Sequence, residues 1–509
     1  MRQNIQFFLN GRLVALAGEQ VFWPLSRYLR ESQRLVGTKI VCAEGDCGAC
    51  SVLVGRRDRR VQQRSSALQY RAIDSCIVFM HQLDRTSIVT VEGLAGDKGE
   101  LTPIQQSMVD GHGSQCGFCT PGFVVTMHGI DERCRQEKNE QCGQGGQTLP
   151  GGDLDNETLQ VELSGNLCRC TGYVQILRAA RAAIGRGQGI NDRYPPEKMI
   201  EHFGALGDDP VSIQIGDGRD RKRVFVAANV SQALAFRAEH PTCRVVSGAT
   251  DVGVQHNHGK TIGAVLLGIA DVPELTTIDA DDQAIRFGAA ATWTDVLPMV
   301  QDHFPGFDAI LLRFGSPQIR NIGSIGGNLA NGSPIADSIP FFMAAGAEIE
   351  LASLRGRRLV PMKDFYIDYK RSIMADDELI TAIVVPRLSA DSHLNLYKVS
   401  RRRDMDISTL TAGIHIGRRD GLMHDVRIAI GGAGPVVMRC AAAESRLEGL
   451  PWTEPNFEAA AQVIVEDIAP MTDVRGTDKF RYQLAGNLIR KCYHDLTGDT
   501  SAATHPVVQ

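Results

Sequence analysis

The chain has 509 residues, of which 43% are hydrophobic and 22% are charged, and its formal net charge is −5. This balance allows about three or four domains and excludes a strongly basic nucleic-acid surface or an acidic solvating tail. The sequence shows no signal peptide and no apolar run of about 18 residues, so we expect no membrane span and a cytoplasmic protein. In a reducing compartment, the 13 cysteines favour metal binding or redox use over a disulfide framework.

The first cysteine group lies in the stretch VCAEGDCGAC, residues 41–50. Its C-x4-C-x2-C spacing, with a fourth cysteine further along the chain, is the plant-type ferredoxin spacing for a [2Fe–2S] cluster. Gly45 and Gly48 allow positive φ angles, so a short loop can direct backbone N–H groups towards cluster sulfurs. Zinc, which favours paired C-x2-C units, and buried structural thiols are the alternative interpretations. The candidate ligands of this first quartet are Cys42, Cys47, Cys50 and Cys76.

The second cysteine group is divided between GSQCGFCTPG, residues 113–122, and LSGNLCRCTGY, residues 163–173. Helical patterns flank both stretches, so each cysteine pair lies on a turn where free N–H groups of helix starts can face anionic thiolates. A C-x-C pair is too tight for most zinc sites, and four thiolates from two turns favour a second [2Fe–2S] cluster. The candidate ligands of this second quartet are Cys116, Cys119, Cys168 and Cys170.

In this order, C-x4-C-x2-C, C-G-x-C-T-P-G and C-R-C-T-G-Y resemble the two-cluster module of the molybdenum hydroxylases, the family of xanthine dehydrogenases and aldehyde oxidases. The resemblance implies a multidomain α+β fold that begins with a β-grasp ferredoxin-like domain at 1–92 and a four-helix [2Fe–2S] domain at 93–185. A polar insert at 131–160 departs from the family pattern, and we predict a flexible surface loop there. Its Cys134 and Cys142 are alternative ligands, although the family motif already supplies four.

Residues 186–222 are predicted to form a linker, because Pro195–Pro196, several glycines and many charges interrupt any periodic pattern. An ordered domain resumes at VFVAANVSQALAFRAEHP, which predicts a strand, a cap and a helix. Two later stretches, at 243–255 and 320–340, are rich in small residues whose N–H groups can close on a diphosphate. Neither is the G-x-G-x-x-G of a Rossmann fingerprint, and two ordinary turns are the alternative.

The family resemblance extends to these stretches and implies an α+β FAD-binding domain at 223–387 and a small α+β C-terminal domain at 388–509. The first diphosphate loop would consist of Val246, Ser247, Gly248, Ala249, Thr250 and Asp251. The second would consist of Gly323, Ser324, Gly326, Gly327 and Asn328. Phe314 would pack beside the flavin or adenine, Asp337 would bind ribityl or ribose hydroxyls, and Lys398 would contact the flavin end. A solvated surface charge is the alternative for Asp337 and Lys398.

Three consecutive arginines in SRRRDMDIS, residues 400–408, either contact the phosphates of a nicotinamide cofactor or form a solvated charge run. The resemblance implies an electron-transfer subunit of the xanthine dehydrogenase type, in purine catabolism. Two [2Fe–2S] clusters would pass electrons to FAD, and FAD would pass them to NAD. The chain ends soon after the flavin domain, so the molybdopterin and substrate sites are expected on a large partner subunit.

By the same analogy, two such chains and two large chains would form a heterotetramer, and no residue of this chain would catalyse the hydroxylation. Three alternatives stay open. The same architecture can serve an aldehyde or an N-heterocycle as substrate. The chain can be a stand-alone NADH-dependent flavin and iron–sulfur reductase, or a non-enzymatic metal-binding or assembly protein.

Overall fold

The structure is a computed structural model that describes residues 1–57, 67–142 and 154–497, without the side chains of 137–142 and 219. The chain divides into two compact units. The first unit comprises Met1–Thr277 and Ser316–Gly323, and the second comprises Ile278–Gly315 and the residues from Ser324 onward. Among the helices of the described residues, none has the length and apolar character needed to cross a membrane.

A five-stranded mixed sheet opens the first unit. Its strands are β1 (Ile5–Leu9), β2 (Arg12–Leu16), β3 (Ser51–Arg57), β4 (Leu68–Asp74) and β5 (Ser87–Val89). Their order is β2-β1-β5-β3-β4, and β1 and β5 form the parallel pair. Alternation in IQFFL buries every second side chain of β1, as expected for a strand with one covered face. This arrangement confirms the predicted β-grasp domain.

Four helices follow the first sheet, as predicted. They are Pro103–Asp110, Thr120–Cys142, Asn156–Glu162 and Val174–Ala183. The first begins with a capping box, in which the Thr102 hydroxyl accepts from the Gln105 N–H and the Gln105 side chain accepts from the Thr102 N–H. Ile104, Phe123 and Ile176 are buried in the shared core of this domain.

The segment predicted as a flexible insert is partly helical, because the second of these helices continues to Cys142. Cys134 is buried in the core, and Glu132 accepts a hydrogen bond from the Ile190 N–H at 2.6 Å. A further helix occupies Asn156–Glu162, and residues 143–153 lie outside the described residues. The loop prediction is therefore wrong at 131–142 and 156–160, because the polar composition hid the contacts that this helix makes on one face.

The segment predicted as a linker also contains regular structure. It holds the helices Ile190–Arg193 and Glu197–Ala205 and the strand Val211–Ile215. Met199 and Phe203 are buried in the core of the four-helix domain. Pro196 occupies the N-cap of its helix, where a missing N–H costs no helical hydrogen bond. Residues 186–222 are therefore folded, and the two prolines mark a helix start.

The second sheet of this unit contains β6 (Val211–Ile215), β7 (Lys222–Val226), β8 (Arg244–Val246) and β9 (Val265–Gly268). Its order is β6-β7-β9-β8, with β7, β9 and β8 parallel. Further α-helices among the described residues of this unit are Leu25–Arg27, Val230–Glu239, Val252–Asn257, Pro273–Thr276 and Pro317–Arg320. The Asn229 side chain caps the helix after β7, which confirms the predicted strand, cap and helix.

The second unit begins with a sheet in the order β10-β11-β16-β12-β13, which is antiparallel throughout. The strands up to β16 are β10 (Ile278–Ala280), β11 (Ala284–Gly288), β12 (Glu348–Ser353), β13 (Gly356–Pro361), the hairpin β14 (Tyr366–Asp368) and β15 (Arg371–Ser372), and β16 (Leu379–Pro386). The accompanying helices are Trp293–His303, Phe307–Leu311, Ile325–Asn331 and Ser338–Ala345. Phe307 and Phe341 stack in the core with ring centroids 3.8 Å apart.

Within the described residues, a four-stranded sheet and three α-helices form the last part of the second unit. The strands are β17 (Ser392–Val399), β18 (Leu410–Arg419), β19 (Leu422–Gly431) and β20 (Met438–Arg439), and the helices are Ala441–Ser445, Glu454–Val463 and Asp478–Thr497. Ile414 and Ile428 of the sheet share a core with Phe457 and Leu488 of the helices. This is the small α+β C-terminal domain that the sequence predicts.

We expect the substitution Asp84→Ala to destabilise the first unit. Asp84 binds Arg2 with both carboxylate oxygens, at 2.9 and 2.5 Å, and both side chains are about nine-tenths buried. Removing the carboxylate leaves the guanidinium buried without its anion, which costs about 3 kcal/mol. Thermal unfolding measures the effect. The control Glu31→Ala removes the exposed Arg27–Glu31 pair and should leave Tm unchanged; an equal Tm for both variants would contradict the prediction.

Candidate functional site

The cysteines of the first quartet meet as two pairs. The Cys42 and Cys47 thiols are hydrogen-bond partners, and so are those of Cys50 and Cys76. The loop reaches this arrangement through left-handed backbone at Ala43, Gly45 and Gly48, with φ of 56°, 79° and 63°. The positive φ angles predicted for the two glycines are thereby confirmed.

Backbone N–H groups of the same loop point at the sulfurs. The Glu44 N–H donates to the Cys42 sulfur at 3.4 Å, and the N–H groups of Asp46 and Cys47 also donate to it. The Cys47 thiol, with these N–H groups, outweighs burial and lowers the pKa of Cys42 to about 4. A loop that stabilises a thiolate in this way is suited to hold an electron-poor metal centre.

Asp74, which the sequence reasoning missed, lies beside the first quartet. It is fully buried, and its Oδ1 accepts from the Cys50 thiol at 3.4 Å. Burial raises the pKa of this carboxyl to about 8, and the nearby Cys42 adds to the shift. Its place two residues before Cys76, at the end of β4, was the available sequence signal.

Asn257 closes the same loop from the end of the helix Val252–Asn257. Its Nδ2 donates to the Ala43 carbonyl at 2.8 Å and to the Cys76 carbonyl at 2.9 Å. One amide group therefore ties the segment of Cys42 to the segment of Cys76. The helix that carries it follows the first predicted FAD loop directly, so the two features share one short piece of chain.

The second quartet also meets as two pairs, and each pair takes one cysteine from each turn. Cys119 is the hydrogen-bond partner of Cys168, and Cys116 is the partner of Cys170. Burial raises the pKa of Cys168, but hydrogen bonds from the Thr171 hydroxyl and from the Thr171 and Cys170 N–H groups outweigh it and lower the net pKa. The two turns thus form one thiol site.

Tyr173 is held in a left-handed conformation, with φ of 71°, which is rare for a bulky residue. This backbone folds the side chain back, and its hydroxyl accepts the Cys168 N–H at 3.0 Å. The last residue of the C-R-C-T-G-Y motif thereby fixes the turn that carries the second quartet. The motif contained this residue, but its spacing alone gave no indication of the contact.

The thiol pairs of each quartet can be compared with the donor set of a [2Fe–2S] cluster. Every cysteine with a described side chain is a free thiol. Within the described ranges, no group of three or more His, Cys, Asp or Glu side chains is arranged to hold a single metal ion. A [2Fe–2S] cluster takes four thiolates, two on each iron, so two neighbouring thiol pairs are the donor set it requires. Both quartets fit such a cluster, and their role as ligands stays a prediction.

The first predicted FAD loop, Val246–Asp251, follows β8. Ala249 has a left-handed φ of 58°, and a Cβ on Gly248 would lie 1.9 Å from the Ile322 carbonyl oxygen. Glycine is therefore required at position 248, because the segment that starts the second predicted loop packs directly against it. The Ser247 carbonyl accepts from the Gln82 side chain at 2.5 Å, so the loop is anchored on the β-grasp domain.

The second predicted FAD loop runs into the helix Ile325–Asn331. The Ser324 hydroxyl caps this helix by accepting the Gly327 N–H at 3.3 Å. A Cβ on Gly326 would meet the Ala289 carbonyl oxygen at 2.7 Å, whereas one on Gly327 would meet only the Ser324 hydroxyl, at 2.8 Å. Gly326 is thus required by packing against backbone, and Gly327 is exposed.

The remaining predicted flavin residues lie in the second unit. Phe314 packs edge-on against Trp293, with centroids 5.2 Å apart. Asn328 Oδ1 accepts from the Ser338 hydroxyl at 2.5 Å. Asp337 and Lys398 bind each other at 2.7 Å and are both buried, so neither is a solvated surface charge. Ser408 and Thr411 donate to the other Asp337 oxygen, at 2.5 and 2.9 Å.

The arginine run lies on an exposed loop and makes intrachain contacts. Arg401 donates to the Val474 carbonyl at 3.0 Å, and Arg402 forms an ion pair with Asp406 at 3.3 Å. Both predicted roles of this run, phosphate contact and solvated charge, stay predictions.

Three family models match consecutive parts of the chain. A [2Fe–2S] binding domain matches residues 90–181, an FAD binding domain in molybdopterin dehydrogenase matches 219–388, and a CO dehydrogenase flavoprotein C-terminal domain matches 395–496. The chain therefore has the domain set of a multidomain oxidoreductase that binds [2Fe–2S] and FAD.

Curated relatives agree with these models. The chain is 28% identical to xanthine dehydrogenase of Drosophila pseudoobscura pseudoobscura over 98% of its length, and 27% identical to xanthine dehydrogenase 1 of Arabidopsis thaliana over 92%. It spans about two fifths of the length of these relatives. A solved carbon monoxide dehydrogenase from Hydrogenophaga pseudoflava, lacking the Mo-pyranopterin moiety of its cofactor, matches 53% of this chain and 94% of that chain, at 25% identity and a TM-score of 0.50.

These matches identify the chain as the iron–sulfur and flavin region of a larger oxidoreductase architecture. The chain is similar to xanthine dehydrogenases along almost its whole length, and its flavin domain matches that of the molybdopterin dehydrogenases.

We expect Cys47→Ser to remove one of two iron–sulfur signals from the EPR spectrum of the reduced protein, because it breaks one thiol pair of the first quartet. The control Cys134→Ser tests the alternative ligand, which is buried in the helical core. It should keep both signals and the full iron content. Loss of a signal in the control, or two intact signals in Cys47→Ser, would show that the ligands are assigned wrongly.

We expect Gly327→Leu to release FAD from a folded protein, because a leucine side chain at this exposed position of the second predicted loop would occupy the space that the diphosphate needs. Bound flavin, measured by absorbance and acid extraction, should fall severalfold while Tm stays near that of the native chain. The control Gly204→Leu places leucine in a helix outside the predicted FAD loops, where an added Cβ has no atom within 4 Å. This variant should keep FAD. Stoichiometric FAD in Gly327→Leu would remove this loop from the candidate site.

Proposed function

We propose that this chain is the electron-transfer subunit of a xanthine dehydrogenase, with two [2Fe–2S] clusters, one FAD and NAD as final acceptor. The observation that carries the proposal is the pairing of all eight predicted cysteines into two quartets within a chain that also matches a flavin domain. Similarity to xanthine dehydrogenases along almost the whole chain supports this substrate class.

When bound, the clusters would carry electrons singly, and FAD would collect a pair and deliver it as hydride. The chain's own residues would prepare these sites. The Cys42 loop stabilises thiolate through its N–H groups, and Tyr173 fixes the second turn. The first FAD loop, with Gly248 packed against the Ile322 carbonyl, would present N–H groups to the diphosphate.

A backbone hydrogen bond connects the two segments that carry the quartets. The Leu167 N–H donates to the Cys47 carbonyl at 3.0 Å, so a ligand of the first quartet is one hydrogen bond away from the residue before Cys168. This contact gives a short connection for electrons between the two sites. By family analogy, the second quartet would face the molybdenum centre of a large partner subunit and the first would face FAD, in a heterotetramer of two small and two large chains.

A second candidate is the same subunit in an enzyme for another substrate, such as an aldehyde or an N-heterocycle. Over 53% of its length this chain is also similar to a carbon monoxide dehydrogenase, an enzyme for a substrate other than xanthine, and this supports the second candidate. By family analogy the substrate would contact the partner chain, so the two candidates share this chain and differ in the partner.

We expect the chain, purified anaerobically together with its untagged neighbours, to contain about four irons in two [2Fe–2S] clusters, one FAD, and a large molybdenum-containing partner. The complex should reduce NAD with xanthine. The control is the chain alone, which should lack xanthine-dependent turnover. Turnover with an aldehyde or N-heterocycle instead of xanthine would favour the second candidate. Full NADH-dependent reductase activity without any partner would contradict both and favour a stand-alone reductase.

A further inference from the structure

Gln318 is a fully buried polar residue that lies between the predicted flavin residues Phe314 and Gly323. Its segment, Ser316–Gly323, belongs to the first unit although the flanking chain belongs to the second. A buried amide of this kind is costly unless it is hydrogen-bonded. Among the described residues its Oε1 has no hydrogen-bond partner, whereas its Nε2 contacts residues of the unit that holds the cysteines.

The Gln318 Nε2 group faces three oxygens from three separate elements. Asn166 Oδ1 lies at 2.9 Å, Thr126 Oγ1 at 3.1 Å and Ser51 Oγ at 3.3 Å. Ser51 directly follows Cys50, Thr126 lies in the helix that begins after Cys119, and Asn166 precedes Leu167 and Cys168. One amide group thus contacts the flanks of both quartets.

All three partners need a donor at this point. The Ser51 hydroxyl already donates to the Gly48 carbonyl at 2.8 Å, and the Thr126 hydroxyl donates to the Gly122 carbonyl at 2.9 Å. The Asn166 Nδ2 donates to the same Gly48 carbonyl at 3.1 Å, which turns its Oδ1 towards Gln318. Since their hydrogens are committed, each of these oxygens accepts here, and the two N–H hydrogens of the Gln318 amide are shared among the three acceptors.

The contact point of these groups is the Gly48 carbonyl, in the loop between Cys47 and Cys50. A Cβ on Gly122 would lie 2.2 Å from this oxygen, and a Cβ on Gly165 would lie 2.0 Å from the Gln318 Oε1. Glycine at both positions therefore allows the loops to approach, and the Gln318 amide occupies the space that remains. At this junction the backbone of Gly48 packs against that of Gly122, and the Gln318 side chain fills the remaining space.

We propose that Gln318 is a positioning residue that fixes the two quartets relative to each other, so that its amide sets the environment of both iron–sulfur sites at once. This inference rests on the proposed function, because it requires a cluster in each quartet. It makes a residue of the flavin-binding sequence part of the structure around both clusters. A merely space-filling Gln318 would influence packing and stability but not the two clusters jointly.

The test is Gln318→Met in the full chain with its partner, since methionine keeps the length and volume but has no donor. Iron and FAD contents are measured first, then the EPR g-values and midpoint potentials of both clusters. The control Asn191→Ala removes an amide that bonds both backbone groups of Leu68, away from the junction, and should lower Tm without altering either cluster. Fewer than about four irons in the unsubstituted chain would refute the proposed function itself.

With full iron in Gln318→Met, a shift of the g-values and potentials of both clusters supports the inference. Two unchanged clusters, or a shift confined to one, overturn it. If Gln318→Met does not retain iron, Thr126→Val decides, because it removes one of the three acceptors and keeps the side-chain shape. Smaller shifts of both clusters in that variant support a joint role for the junction, and two unaltered signals overturn it.

Discussion

The carbonyl oxygen of Gly48 is the point on which the arrangement of the cysteines depends. It accepts hydrogen bonds from Ser51 and Asn166, and Gly122 approaches it so closely that a Cβ there would lie 2.2 Å away. A side chain at this contact would separate the two loops by the width of at least a methyl group. Glycine at position 122 is therefore what allows the loop of Cys47 and Cys50 to pack against the helix that follows Cys119.

Local sequence patterns predicted the parts of the structure that are held locally. The cysteine spacing identified both quartets, and Gly45 and Gly48 adopt the positive φ that the loop requires. Asn229 caps a helix after a strand, as its neighbours predicted. Each of these features is determined by residues within about one turn or loop of each other, and such features are encoded in short stretches of sequence.

Features that depend on distant residues were not predictable in this way. Asn257 and Gln318 each contribute one amide to an element far away in the sequence, and a single amide in a helix or turn carries no periodic signal. The segment 186–222 was misread because Pro195–Pro196 suggested an interruption, whereas the burial of Met199 and Phe203 is decided by the tertiary core. The charged and glycine residues of this segment dominate its composition, and composition does not show which of its apolar residues are buried.

The flavin residues of the second unit show a related limit. Asp337 and Lys398 were predicted separately as ligands, but the structure joins them in one buried ion pair with Ser408 and Thr411. Two charges leave water at low cost only when each satisfies the other and neutral donors complete the set. No local pattern shows that β17 lies beside the start of the helix Ser338–Ala345. The roles of Asp337 and Lys398 towards FAD stay predictions, and any such role would involve both residues because they form one ion pair.

Asn257 also has a consequence for how the protein is made. It lies 214 residues after Ala43, whose carbonyl it binds, so all four cysteines of the first quartet leave the ribosome well before it is synthesised. Until then, the ferredoxin-like domain lacks the two hydrogen bonds that Asn257 donates to the Ala43 and Cys76 carbonyls. The loop that carries Cys42, Cys47 and Cys50 can make this contact only after residues 246–251, the first predicted FAD loop, have been synthesised.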